Sequence, residues 1–274
     1  MEVRLADGRS ATYEVLGNGP PLLSFVGGPG MPARFMRPDA RLFAERFSCY
    51  LIDPHGSGGS TPPREDSAYN HEGHARFYEE VRRALNLGQV SVHGASFAVG
   101  VELDEEEGGD AAVAMEAALA RHAEAPWYPE ARRIWDDWTP RALAATDPGE
   151  VEDMLATVLP LYTAFPGRPE VREALEEART MLAVDLRAVK VWEGGLYQRG
   201  DIRPLLSRVR CPTLVVCGEL DLIGGLAQAR HLVAGVPGAE LLVIPNCGHF
   251  PALERPPFYR DAVLNWCAEH PAGL

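Results

Sequence analysis

Val90-Ser91-Val92-His93-Gly94-Ala95-Ser96-Phe97-Ala98 is the stretch on which the reading of this chain turns. Its first four residues are alternating and half β-branched, which is strand composition. Small residues at 94 and 95 then flank Ser96 closely. A serine on a sharp strand-to-helix turn has its hydroxyl pushed out of the sheet. Such a turn is strained and tightly packed, so it needs small neighbours. The pattern is Gly-x-Ser-x-Gly with Ala98 in place of the last glycine. By itself the string also reads as a serine in an ordinary turn, so its meaning rests on partners elsewhere.

Upstream, residues 3–5 and 11–15 flank Asp7-Gly8, a hairpin turn signal. Residues 21–26 and 49–52 are short apolar runs, the pattern of buried strands. The first ends in Gly27-Gly28-Pro29-Gly30, a loop whose backbone can approach a ligand closely. The second ends in Asp53-Pro54-His55-Gly56-Ser57-Gly58-Gly59-Ser60, where Thr61 stands at the third glycine of a dinucleotide fingerprint. Residues 41–47 read as a short helix and 77–87 as an amphipathic one, with Phe77, Val81, Ala84 and Leu85 on one face. Downstream, 213–217 and 240–244 read as two more buried strands, 227–234 and 258–270 as helices. Strand and helix in alternation predict an α/β fold with a mostly parallel sheet covered on both faces.

Between core segments 1–103 and 201–274, the character changes over 104–200. Residues 104–110 read as an acidic break, and 111–123, 129–138, 151–162 and 171–193 as helices. Trp127, Trp135, Trp138, Trp192, Tyr128, Tyr162 and Tyr197 fall here. A helical insertion rich in aromatics reads as a cap over the sheet. Most such rings pack the cap itself; Trp138 and Trp192 are the candidates to line a pocket.

The formal net charge of −13 argues against nucleic acid and anionic membranes as partners. No run of about 20 apolar residues offers a membrane span, and residues 1–5 lack a signal-peptide profile. Five dispersed cysteines without a CxxC pair suit a reducing cytosol. His71-Glu72-Gly73-His74 has the wrong spacing for a zincin helix, and no metal or other cofactor is expected.

Asp221 and His249 both follow buried strands directly, as Ser96 does. In a parallel sheet those positions share one edge. Serine is a poor nucleophile until a base takes its proton. A neutral imidazole serves as that base near pH 7, and a carboxylate fixes its tautomer and stabilises the imidazolium. The chain order Ser96, Asp221, His249 is that of α/β-hydrolases. An oxyanion hole would then be built from the N–H of Phe97, just after the nucleophile, and of Gly28.

Val26-Gly27-Gly28-Pro29-Gly30 resembles the His-Gly-Gly-Pro-Gly loop of the proline iminopeptidase branch of α/β-hydrolases. The stretch from Asp53 to Ser60 resembles that branch's Asp-Gln-Arg-Gly-x-Gly-x-Ser, and Gly218-x-x-Asp221 and Gly248-His249 match its acid and base positions. The resemblance implies the α/β-hydrolase fold and a cytosolic, cofactor-free serine hydrolase. It would cleave a small amide or ester, with a small molecule or short peptide as substrate. Two departures stand out. Val26 replaces the loop histidine. Family peptidases hold the substrate amine with glutamates, one commonly just after the catalytic aspartate, where this chain has Leu222; Glu193 is the nearest candidate for another. The missing glutamate favours an esterase, lactonase or C–C bond hydrolase as alternative, and a catalytically silent ligand-binding relative is the alternative outside enzymes.

Only seven residues, 97–103, separate Ser96 from the acidic break. A helix of about 10 to 14 residues and a strand of about 5 or 6 do not fit there. The helix and strand after the elbow are expected to be lost. Either a shortened helix leaves the sheet without a strand between the elbow strand and 213–217, or 97–103 is itself extended. Both leave sheet surface exposed, and the first makes neighbours of the elbow strand and 213–217, so low stability and weak or absent activity are expected; the alternative is that the chain has re-closed its sheet around the gap.

Overall fold

The computed structural model describes residues 1–96, 105–195 and 202–271, of 105–111 the backbone alone. Phe97 and the rest of the 97–104 junction lie outside the described residues, as does Tyr197.

Five strands form the first sheet: β1 (Glu2–Arg4), β2 (Ser10–Leu16), β3 (Pro21–Phe25), β4 (Ser48–Ile52) and β5 (Ser91–Gly94), in the order β1-β2-β4-β3-β5. The β1–β2 hairpin and the β2–β4 pair are antiparallel. β3 lies parallel between β4 and β5, with Leu22 opposite Cys49 on one side and Ser91 on the other. This register sets Phe25 level with Gly94, so the loops after β3 and β5 leave the sheet side by side. Period-two alternation sorts the side chains. Leu22, Val26, Cys49 and Leu51 enter one core with Phe43 and Tyr259. Leu23 and Ile52 enter another with Leu5, Phe77, Tyr78 and Val81.

Around the sheet lie α1 (Arg37–Phe43), α2 (His71–Ala84), α3 (Glu105–Ala120), α4 (Tyr128–Asp136), α5 (Trp138–Ala144), α6 (Pro148–Val158), α7 (Pro169–Thr180), α8 (Leu186–Glu193), α9 (Arg203–Leu206), α10 (Gly225–Gly235), α11 (Pro251–Glu254) and α12 (Pro256–Glu269). Several boundaries differ from the sequence reading. The acidic stretch is not a break: Glu105 to Asp110 form the first turns of α3. Carboxylates are favourable at a helix N-terminus, where the macrodipole is positive. Residues 171–193 are two helices, because Asp185 caps α8 by accepting from the Arg187 N–H at 3.0 Å. α2 begins at His71, since Asn70 accepts from the Gly73 N–H at 2.7 Å.

β6 (Leu214–Gly218) and β7 (Glu240–Ile244) pair in parallel as a separate two-stranded sheet. Among the described residues no strand stands between β5 and β6. The first expected arrangement would make β5 and β6 neighbours, and they lie in separate sheets instead; whether 97–103 is helical or extended lies outside the described residues. Val92 is 57% exposed on a strand that a complete sheet would bury. Leu214, Val215 and Val216, expected to be buried, are half-buried. The two sheets still share one core, since Ile244, Cys247 and Tyr259 pack in the same cluster as Leu22 and Leu51. Val92→Thr is therefore expected to change unfolding free energy by less than about 0.5 kcal/mol, whereas Leu23→Ala costs about 2–5 kcal/mol. Urea unfolding checks both values, and light scattering should show less self-association for the threonine variant.

His55 is buried beneath α2, its ring 4.4 Å from that of His74. Burial, the neighbouring His74 and Arg9 hold its pKa down to about 3; burial and His71 hold that of His74 to about 4. Unfolded, both rings titrate near 6.5. As pH falls, the unfolded chain takes up protons that the folded chain refuses. Stability is thus expected to fall as pH drops through 6.5 toward 4, by up to about 1.4 kcal/mol per pH unit and ring. Urea midpoints at pH 7 and pH 5 measure the slope, which His55→Asn should reduce.

Candidate active site

Ser96 follows β5 with φ +55, one of few non-glycine residues in the left-handed region. For a non-glycine residue this conformation is strained and marks a constrained turn. The loop after β3 presses on it. A Cβ on Gly27 would lie 2.6 Å from Ser96 Cβ and 2.7 Å from the Ala95 carbonyl, so glycine alone lets the loop come this close. Gly28 has φ +74. The Ala95 N–H donates to the Phe25 carbonyl at 3.3 Å, extending the β3–β5 ladder into the turn.

Asp221 comes three residues after the end of β6, and its carboxylate accepts from the Ile223 N–H at 2.9 Å. His249 follows β7 after a turn through Asn246, which has φ +53. The His249 Nδ1 lies 2.9 and 3.0 Å from the two Asp221 oxygens. Both side chains are nearly buried, at 9% and 11% exposure. Burial opposes ionisation of Asp221. The His249 charge and hydrogen bond and the N–H groups of Ile223 and Gly224 outweigh it, holding the carboxyl below its ordinary value. An ionised carboxylate only accepts, so Nδ1 carries the proton, and in the neutral imidazole the free lone pair is then on Nε2. Among the described residues the ring makes no hydrogen bond to Ser96.

Tyr162 packs over this pair. Its ring is 5.7 Å from that of His249 and stacks on Phe250 at 15°, with Trp135 edge-on behind it. Burial, with Asp221 and Glu193 adding, pushes its hydroxyl up to about 12, so it stays protonated near pH 7. The sequence offers Tyr162 only as one of several aromatics; nothing local marks it as the ring against the histidine. Glu254 is likewise unmarked, yet it is 6% exposed and accepts N–H groups on both sides of His249.

The candidate substrate-contacting residues are engaged within the helices. Glu193 accepts from Trp138 Nε1 at 2.8 Å and from Thr139 Oγ1 at 2.5 Å, which joins α8 to α5. Both carboxylate oxygens have partners. Trp138 also packs against two hydrophobic clusters, and Trp192 packs beside Tyr69, Ala188 and Val191. Cys217 and Cys247 are buried, and burial raises both thiols, Cys217 to about 12, so neither is a thiolate near pH 7. Among the described residues there is no group of three or more metal-ligating side chains, and no helix long and apolar enough to cross a membrane.

A model of the Alpha/beta hydrolase family matches residues 22–262. Over 104 residues the chain is 33% identical to the 2-hydroxy-6-oxononadienedioate/2-hydroxy-6-oxononatrienedioate hydrolase of Klebsiella pneumoniae. That match spans 36% of each chain, so only about a third of the length of the curated relatives is covered. A thermophilic esterase from Thermogutta terrifontis has a TM-score of 0.69 at 20% identity, over 98% of both chains. The enol-lactonase from Burkholderia xenovorans LB400 has a TM-score of 0.70 at 18% identity, over 98% of this chain and all of the other. At these identities the structural likeness is one of fold.

Proposed function

The chain belongs to the alpha/beta hydrolase family, and on that premise we propose that it is a serine hydrolase acting on a small ester or lactone. The observation that carries this reading is the near-buried, two-oxygen contact between Asp221 and His249 Nδ1, which orients the ring with Nε2 on its far side. Ser96 is the nucleophile, raised on its strained turn. His249 takes the hydroxyl proton as Ser96 attacks the carbonyl carbon, and returns it to the leaving alcohol. Asp221 holds the imidazole in register and stabilises its charge. The N–H groups of Gly28 and Phe97 receive the oxyanion. Water then repeats the sequence on the acyl-enzyme.

An aminopeptidase of the proline iminopeptidase kind is the second reading. The loop motifs favour it, but both Glu193 oxygens are already engaged by Trp138 and Thr139, and Leu222 supplies no acceptor for a substrate amine. Residues 104–200 act as the cap over the site. The five cysteines are all unpaired, which supports a reducing cytosol. Fluorophosphonate labelling, with the modified residue mapped, tests the nucleophile. Labelling at Ser96 supports the hydrolase, and its absence supports a silent ligand-binding relative. Turnover of acetate esters and lactones, but not of proline or alanine anilides, separates the two enzyme readings.

A further inference from the structure

We propose that Glu254 is a positioning residue for His249, and that through it the segment 162–164 above the site sets where the base stands. The proposal rests on the serine-hydrolase reading. Glu254 ends α11, five residues after His249, and its carboxylate is buried. Oε1 accepts from the Gly248 N–H at 2.9 Å and the Phe250 N–H at 3.4 Å, the residues on either side of the base. Oε2 accepts from the Ala164 N–H at 2.7 Å. The amide between, that of His249 itself, donates to the Tyr162 carbonyl at 2.8 Å. All three amides of 248–250 are thereby tied to Glu254 or to the 162–164 segment, and the loop has no separate freedom.

The fit at this junction is close. A Cβ on Gly248 would lie 2.6 Å from the Tyr162 carbonyl oxygen, 2.7 Å from Ala164 N and 2.9 Å from Glu254 Oε1. An acceptor-only carboxylate suits a place where donors arrive from two elements. Glutamine has nearly the same shape but turns an NH₂ toward one of those donors, so one tie must open. The loop then gains play of the kind that costs catalysis more than binding, because the base must meet the serine within a few tenths of an ångström. Glu254 makes no hydrogen bond within the Asp221–His249 contact, but beside its backbone ties its charge is felt at Asp221; Glu254→Asp keeps the charge and so separates the two routes.

Steady-state kinetics of Glu254→Gln on an ester turned over by the parent enzyme, with fluorophosphonate labelling rates of both, test this. The expected result is a fall in kcat and labelling rate of about 10- to 100-fold, with KM within about twofold. If the variant does not fold, Glu254→Asp is measured in the same way; it keeps the charge but draws the oxygens back by one methylene. Parental kcat and labelling rate in a variant with a lowered Tm would overturn the proposal, leaving Glu254 a purely structural residue. A parent enzyme that does not label at Ser96 would instead overturn the hydrolase reading, and with it any catalytic role for this clamp.

Discussion

Ser96→Ala is expected to lower kcat by at least about 10⁴-fold while leaving thermal unfolding within about 2 °C of the parent. The hydroxyl is the only atom removed, and among the described residues it makes no hydrogen bond that holds the turn. The strained φ of +55 costs alanine about what it costs serine. Asp221→Asn should come close to the same loss for another reason. The amide can donate toward Nδ1, which favours the tautomer whose Nε2 carries the proton and cannot accept from serine. It also removes the charge that would stabilise an imidazolium in a nearly dry site. Burst kinetics on a nitrophenyl ester would separate the two. The alanine variant should give no burst, whereas the asparagine variant should give a slow one. Parental turnover in either would remove that residue from the chemistry.

The strand ends were legible because their chemistry is local. A short apolar run followed by glycine and a polar residue is both a strand signal and a loop signal, so each of Ser96, Asp221 and His249 could be placed after a strand from spacing; the structure sets Ser96 after β5 and brings Asp221 and His249 together after β6 and β7, strands of a separate sheet. The shortage after Ser96 is legible by arithmetic, since residues 97–103 are too few for a helix and a strand, but the parting of β6 and β7 into a sheet of their own is not, because it depends on how distant segments pack. What could not be read was contact between distant segments. Glu193 looked like an open carboxylate, and its engagement by Trp138 and Thr139 depends on how α5 meets α8. Tyr162 and Glu254 owe their places to the 162–164 segment lying over the base loop. The dense charge of 104–110 reads as a break between core and helices, whereas 105–110 are helical. The same charge favours a helix start.

Gly218→Ala is the substitution expected to damage the fold most for its size. Gly218 closes β6, and the loop carrying His249 crosses directly over it. An added Cβ would sit 2.0 Å from the Gly248 carbonyl oxygen and 2.5 Å from that of Cys247. Both obstacles are backbone, so no side chain can swing aside. The Leu220 N–H is meanwhile bonded to the Cys247 carbonyl at 2.8 Å, and Gly248 is held from the far side by Glu254. Relief to an ordinary contact needs more than 1 Å of movement, shared between the loops that carry Asp221 and His249. Overpacking of this kind costs about 3 kcal/mol, a large part of the stability of a domain. A 1 Å misplacement of the base adds about a hundredfold loss of rate in whatever fraction stays folded. Gly167→Ala is the control, since a Cβ there meets nothing within 4 Å and should leave stability unchanged or slightly raised. Urea unfolding and Ser96 labelling of both variants decide it: parental stability in Gly218→Ala would mean that the two loops can part, and that the contact between the acid and base loops is softer than its geometry implies.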